Sequence, residues 1–228
     1  MGFTLETVVP WGRSRSEYIR MFDLTASDLP RSLLDCAAGP ASFNAEMTQQ
    51  GNTVISCDPL YQFGVEDIAQ RIEATYPVIL QGLAANLDQF VWTDITTPEQ
   101  LGAVRMAAMQ QFLRDFPVGK QSGRYVTAEL PNLPFADQQF DLALCSHFLF
   151  AYSDQLGWGF HQQAIAELCR IAKEVRIFPL LKISGERSPF VEPLQTDLCH
   201  LGYQVQIRTV AYEFQKGGNQ VMQVCSNG

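Results

Sequence analysis

The stretch Leu33-Leu34-Asp35-Cys36-Ala37-Ala38-Gly39-Pro40-Ala41-Ser42-Phe43 constrains this chain more than any other. Two leucines close a short apolar run, an aspartate stands where that strand should end, and four small residues then let the backbone turn sharply before a helix starting near Ser42. Strand, tight turn and helix in this order point to an α/β fold, and such a turn brings backbone N–H groups and a helix N-terminus toward a ligand. Gly39 can take a positive φ and has no Cβ to block a cofactor, whereas Ala37 and Ala41 stand where a dinucleotide fingerprint more often has glycine. A plain strand-to-helix turn would look the same in isolation, so the rest of the chain decides.

A helix is expected to run to about Gln50 and stop at Gly51, followed by a strand Thr53–Cys57 that ends in Asp58. An acidic side chain at the end of the second strand is placed to accept hydrogen bonds from both ribose hydroxyls of an adenosine cofactor, although Asp58-Pro59 is also an ordinary turn starter. The segment 61–122 is too long to be a simple link between neighbouring parallel strands. It is expected to hold one helix near Val65–Thr75 and another from Pro98 to about Phe116, with Phe90, Val91 and Trp92 between them. A cap over the C-terminal edge of the sheet is the expectation here, with a surface elaboration as the alternative.

The N-terminal part carries Arg13, Arg15 and Tyr18 close together, with Ser14 or Ser16 available to cap a short helix. The two arginines are candidates for binding a carboxylate under a lid formed by residues 1–30, or are solvated surface charges. The net charge of -8 argues against a nucleic-acid partner, since phosphate binding needs clustered Lys and Arg. Six dispersed cysteines without a CxxC pair suggest buried free thiols in a reducing compartment, and neither a leader nor an 18-residue apolar run is seen. The expectation is therefore a soluble cytoplasmic protein without a membrane span, a monomer or homodimer.

A specific resemblance comes from Glu129-Leu130-Pro131-Asn132-Leu133-Pro134-Phe135, an Asp137 turn, and Phe140-Asp141-Leu142 leading into a strand. Together with the Gly39 turn and Asp58, this block resembles class I S-adenosylmethionine-dependent methyltransferases, and Gly39–Glu46 with the N-terminal pattern resembles a group of bacterial methyltransferase-like proteins. The resemblance spans essentially the whole chain. It implies one Rossmann-like, doubly wound domain over residues 1–228, with a mostly parallel seven-stranded sheet, an antiparallel C-terminal strand and a helical cap at 61–122. It implies S-adenosylmethionine as cofactor and an EC 2.1.1 activity. The implied cofactor-binding residues are Asp35, Ala37, Gly39, Pro40, Phe43, Asp58, Pro59, Leu60, Glu129, Leu130 and Ser146, joined by Arg13 and Tyr18, with Glu129 near the adenine amino group and Leu130 touching the ring. Two departures stand out: alanines at 37 and 41, and Ala172-Lys173-Glu174 where the family has Pro-Gly-Gly before its fifth strand.

Methyl transfer needs in-line alignment and, for O or N nucleophiles, often a base within hydrogen-bond reach. Ser146, His147, Phe148 and Tyr152 follow the fourth strand, and His147 is the candidate base because a histidine titrates near neutrality. A packed histidine without a proton role is the alternative. Phe148, Tyr152 and Trp92 are candidate substrate contacts, with Phe90, Met109 and Phe112 expected to line the same pocket, and no metal-ligand spacing is visible. A small-molecule acceptor is the leading expectation. An NAD-dependent oxidoreductase and a non-catalytic S-adenosylmethionine-binding regulator are the alternatives, the former disfavoured by the Leu-Pro-Phe block and the terminal antiparallel pair.

Overall fold

Alternation along the central strands places apolar side chains on both faces of one sheet. The computed structural model describes residues 10–226. In chain order its elements are α1 (Arg15–Phe22), β1 (Leu33–Cys36), α2 (Phe43–Gln49), β2 (Val54–Cys57), α3 (Val65–Ala84), α4 (Pro98–Gln121), β3 (Tyr125–Val126), β4 (Phe140–Ser146), α5 (Trp158–Ile171), β5 (Ala172–Phe178), α6 (Val191–His200), β6 (Gln204–Thr209) and β7 (Gln220–Cys225). Leu34, Cys36, Ala143, Cys145, Val175 and Ile177 face one core with Ile165, Leu168 and Leu194, while Leu33, Leu142, Leu144 and Phe178 face the other with Tyr18, Phe22 and Phe43. Successive side chains of a strand point to opposite faces, so a sheet covered on both sides reads as a continuous apolar run.

The strands form a single sheet in the order β3-β2-β1-β4-β5-β7-β6. β7 runs antiparallel to both β5 and β6, and the other pairings are parallel. This is the doubly wound, mostly parallel sheet with an antiparallel C-terminal strand that was expected. Its order reverses beside β1: the chain moves out to β2 and β3, then returns to β4 on the other side of β1. In open α/β sheets that switch point leaves a crevice at the C-terminal ends of the strands.

Two helix boundaries differ from expectation. α3 continues past Thr75 to Ala84 with Pro77 inside it, and α4 continues past Phe116 to Gln121 with Pro117 inside it. Each proline removes one backbone donor, but burial of Ile79 and Leu83 against Phe90 and Leu101 offsets that loss for α3. The two helices approach closely at Gly102, where an added Cβ would collide with Tyr76 and Leu80. β3 is short, with Tyr125 and Val126 paired with Ser56 and Cys57. α1 starts at the Ser14 cap, where Glu17 completes a reciprocal capping box, and it packs Tyr18, Met21 and Phe22 into the core. Residues 1–9 of the expected lid lie outside the described residues.

Candidate functional site

The Gly39 turn is latched to the end of β2. Ala37 and Gly39 both adopt φ of 54°, the left-handed region, and a Cβ built on Gly39 meets nothing within 4 Å. The Gly39 N–H donates to Asp58 Oδ2 (2.9 Å) and the Leu60 N–H to Asp58 Oδ1 (2.8 Å), while the Tyr61 hydroxyl donates to the Gly39 carbonyl (2.7 Å). Burial pushes the Asp58 carboxyl above its ordinary range, those two N–H groups oppose the shift, and Glu129 adds to it. A carboxylate oxygen accepts in two directions, so each oxygen of Asp58 keeps one for a ligand.

Above this turn a cavity of 440 Å³ opens at the strand ends. Arg13, Tyr18, Ala37, Gly39, Pro40, Asp58, Pro59, Glu129, Leu130, Ser146, His147, Phe148 and Tyr152 all line it. Thus most of the residues singled out from the sequence line one cavity. Asp35, Phe43 and Leu60 are not lining residues. Asp35 lies fully buried behind Tyr18, whose hydroxyl donates to Asp35 Oδ1 (3.0 Å), and Phe43 stacks on the Tyr18 ring with centroids 4.3 Å apart. Leu60 packs against the cluster around Tyr61 and Phe112.

The expected substrate wall needs correction. Trp92 does not reach the cavity: its indole N–H donates to the Leu87 carbonyl (2.8 Å) and its ring packs edge-on against Phe90 and Phe214. Met109 and Phe112 are fully buried between α3, α4 and β3. Phe90 does line the cavity, and the rest of its apolar wall comes from Ile79 and Leu83 of the insertion, Phe160 of α5, and Ile183 and Phe214 further along the chain.

Charge along the part of the cavity lined by Arg13 and Arg105 is unbalanced. Arg105, 1% exposed, ion-pairs Glu17 through Nη1 and donates to the Tyr212 hydroxyl through Nη2 (3.1 Å). Tyr212 in turn donates to Glu17 Oε1 (3.2 Å). Burial alone would raise the Glu17 carboxyl, but Arg105 and the Ser14 N–H hold it down at about 2. Arg13 has no carboxylate partner among the described residues: Nη1 donates to the Trp11 carbonyl (3.2 Å), and its Nε, like that of Arg105, is buried without a partner. Burial and then Arg105 lower the Arg13 pKa. His147 sits beside the same pair. Burial, followed by Arg13 and Arg105, lowers it well below its ordinary value, so the expectation that it titrates near neutrality is overturned. Arg15 turns elsewhere, its N–H donating to Glu46 and its Nε to the Met47 sulfur.

Arg105, Glu17, Tyr212 and Phe214 escaped the sequence reading. One signal was present: Arg105 interrupts the apolar face Leu101, Ala108, Met109, Phe112 of α4, and a cation on a buried helix face needs a partner. Nothing in the sequence said that the partner would come from α1. Among the described residues no group of three His, Cys, Asp or Glu could hold a metal ion, and no helix is long and apolar enough to cross a membrane.

No family model matches the chain. Among solved structures it resembles magnesium protoporphyrin IX methyltransferase from Synechocystis PCC 6803 with bound SAM (12% identity, 88% of this chain and 73% of that one, TM-score 0.46). It also resembles a putative S-adenosyl-L-methionine-dependent methyltransferase from Methanococcus maripaludis (14%, 93% and 82%, 0.46) and a SAM-dependent methyltransferase from Aquifex aeolicus (13%, 91% and 90%, 0.42). These scores lie below 0.5, and the fold stands on the sheet order of the chain itself. Sequence similarity is far stronger to one archaeal protein, the uncharacterized protein MJ0045 of Methanocaldococcus jannaschii, with 33% identity over 221 residues, 96% of each chain. With that identity along nearly its whole length, this chain belongs to the family of MJ0045.

Proposed function

We propose that this protein transfers a methyl group from S-adenosylmethionine to a small organic acceptor. The observation that carries this is a single cavity in which the Gly39–Asp58 latch opens into an apolar chamber beside an unpaired guanidinium. The lining fits the cofactor. Free acceptor positions on Asp58 suit the ribose hydroxyls, open space over Gly39 lets the cofactor approach the turn, and the cavity-lining Arg13 guanidinium, without a carboxylate partner among the described residues, suits a carboxylate. By family resemblance Glu129 and Leu130 would hold the adenine. When bound, the cofactor supplies an electrophilic sulfonium methyl.

The protein's own contribution is then positioning and exclusion of water. Phe148, Tyr152, Phe160 and Phe214 would hold an apolar acceptor, and Ile79, Leu83 and Phe90 make the 61–122 insertion a cap over it. α1 would form a fixed wall bearing Tyr18, with Arg13 just ahead of it, because its apolar face is already packed on the sheet. A cavity of this volume, in the range of roughly 300–1,000 Å³ typical of ligand sites, favours a small molecule over a folded protein or a duplex.

Calorimetry on the Asp58→Ala variant tests the assignment. Its affinity for S-adenosylmethionine should fall by about 1–3 kcal/mol, the scale of a lost charge-assisted hydrogen bond. Unchanged affinity would remove Asp58 from the site, and tighter binding of NAD than of S-adenosylmethionine would rule out methyl transfer. Turnover of a metabolite panel separates an enzyme from a non-catalytic binder.

A further inference from the structure

Ahead of α1, one short segment bridges the cap and the Gly39 turn. Trp11 packs its ring on Tyr76 of α3 (centroids 6.0 Å apart) and against the apolar clusters that hold Phe112 and Ile79. Two residues on, the Arg13 carbonyl accepts from the Ser42 N–H at the start of α2 (3.0 Å) and, at greater length, from the Ser42 hydroxyl (3.4 Å). Gly12 lies buried between these two attachments. Residues 11–13 thus form a strap from the cap to the turn, and Trp11 and Arg13 both line the cavity.

The strap lies closer to the turn than any side chain would allow. A Cβ built on Gly12 would stand 2.1 Å from the Pro40 carbonyl oxygen, 2.7 Å from its carbon and 2.9 Å from Met109 Cγ. Non-bonded carbon atoms pack at about 3.5–4.0 Å, so something must move. Met109 can swing aside, but the Pro40 carbonyl cannot: the Gly39 N–H is held by Asp58 and the Gly39 carbonyl by the Tyr61 hydroxyl. A methyl group at position 12 therefore lifts the strap off the turn.

Lifting would act on Arg13. Its backbone is tied to Ser42, and its Nη1 donates to the strap's own Trp11 carbonyl (3.2 Å). Arg105 nearby opposes its charge, and no carboxylate pairs with it among the described residues. The guanidinium is thus held at the cavity by the strap and not by an ion pair. A cation fixed before the ligand arrives loses less conformational freedom on binding.

We propose that Gly12 is a positioning residue for cofactor binding: by letting the strap lie directly on the Pro40 carbonyl, it sets the Arg13 guanidinium where the cofactor's carboxylate arrives. This rests on the methyl-transfer function proposed above. It makes the site selective, through the strap, for adenosine compounds that carry the amino-acid end.

Calorimetry with two probes tests this. S-adenosylhomocysteine carries the carboxylate, and 5′-methylthioadenosine lacks the whole amino-acid end. Gly12→Ala should weaken the first about tenfold or more and leave the second within twofold, whereas a general loosening of the fold would weaken both. In an Arg13→Met background, Gly12→Ala should change S-adenosylhomocysteine affinity less than twofold, because it acts through Arg13. If Gly12→Ala does not fold, Trp11→Leu, which loosens the strap at its other end, should give the same split between the probes. Equal losses for both probes, no loss for either, or a loss that persists in full without Arg13 would overturn the proposal. Wild-type protein that binds neither probe would refute the cofactor reading and the role of Gly12 together; wild-type binding of both without the split in the variant would refute the role of Gly12 alone.

Discussion

Two clusters of buried charge lie on this sheet, and they are built to different standards of completeness. Near the starts of β4 and β5, Arg31 and Arg176 meet Asp28 and Glu174. Arg176 pairs with Glu174 (2.7 Å) and Asp28 (3.3 Å), and Arg31 with Glu174 (2.8 Å) and Asp28 (2.9 Å). Spare donors reach the carbonyls of Phe22 and Asp141. Two cations thus face two anions. At the cavity, Arg105 takes the single carboxylate of Glu17, Arg13 has no carboxylate partner among the described residues, and both Nε atoms are left over. The first cluster stitches the α1–β1 connection to β5 with its charges balanced. The second carries surplus positive charge, which costs stability unless an anion arrives.

The largest expected effect would come from opening the complete cluster. Arg176→Met leaves Asp28 and Glu174 with Arg31 as their one remaining cation and should destabilise the fold by about 3–5 kcal/mol in urea unfolding, with cofactor affinity unchanged in the folded fraction. Arg13→Met at the incomplete cluster should do the reverse. Cofactor affinity falls by about 1.5–3 kcal/mol in calorimetry, while the melting temperature holds or rises because a desolvated cation beside Arg105 is gone. A stability loss matching that of Arg176→Met would erase the distinction between the two.

Titration sharpens it further. Burial raises Glu17 and Asp28, but their partners win and hold both at about 2. Their folded-state pKa values lie below the unfolded ones, so their stabilisation is full above about pH 4.5 and is lost as pH falls toward 2. Asp35 has the opposite sign. Its folded value of about 8 exceeds an unfolded value near 4, so the folded state binds that proton more tightly and stability declines as pH rises between them. Asp35→Asn should flatten that alkaline decline while leaving the acid limb intact, as read from unfolding midpoints between pH 4 and 9. The smallest effect belongs to Trp92→Ala. It should cost about 1 kcal/mol or less and leave kcat/KM alone, because the indole covers Phe90 from outside the cavity.

Legibility in the sequence followed the range of the interactions. Asp58, Gly39 and Ser146 could be located because strand ends and tight turns are written in adjacent residues, and the topology then brings those ends to one edge. Glu129 and Leu130 needed a family pattern. Trp92, Met109 and Phe112 were misplaced because an apolar helix face does not say whether it meets a cavity or another helix; Gly102 decides that by letting α4 close on α3. α3 outran its expected end because burial of Ile79 and Leu83 outweighed Pro77. Glu17, Arg105 and Tyr212 converge from three distant segments, a long-range relation that no local pattern carries.

The most direct test of methyl transfer at this site is a crystal structure with S-adenosylhomocysteine. The predicted result places the ribose on Asp58, the carboxylate on Arg13, the adenine beside Leu130, and the sulfur opening toward His147 and the chamber walled by Phe148, Tyr152 and Phe214. A ligand bound outside this cavity, or one whose ribose and carboxylate leave Asp58 and Arg13 untouched, would contradict it.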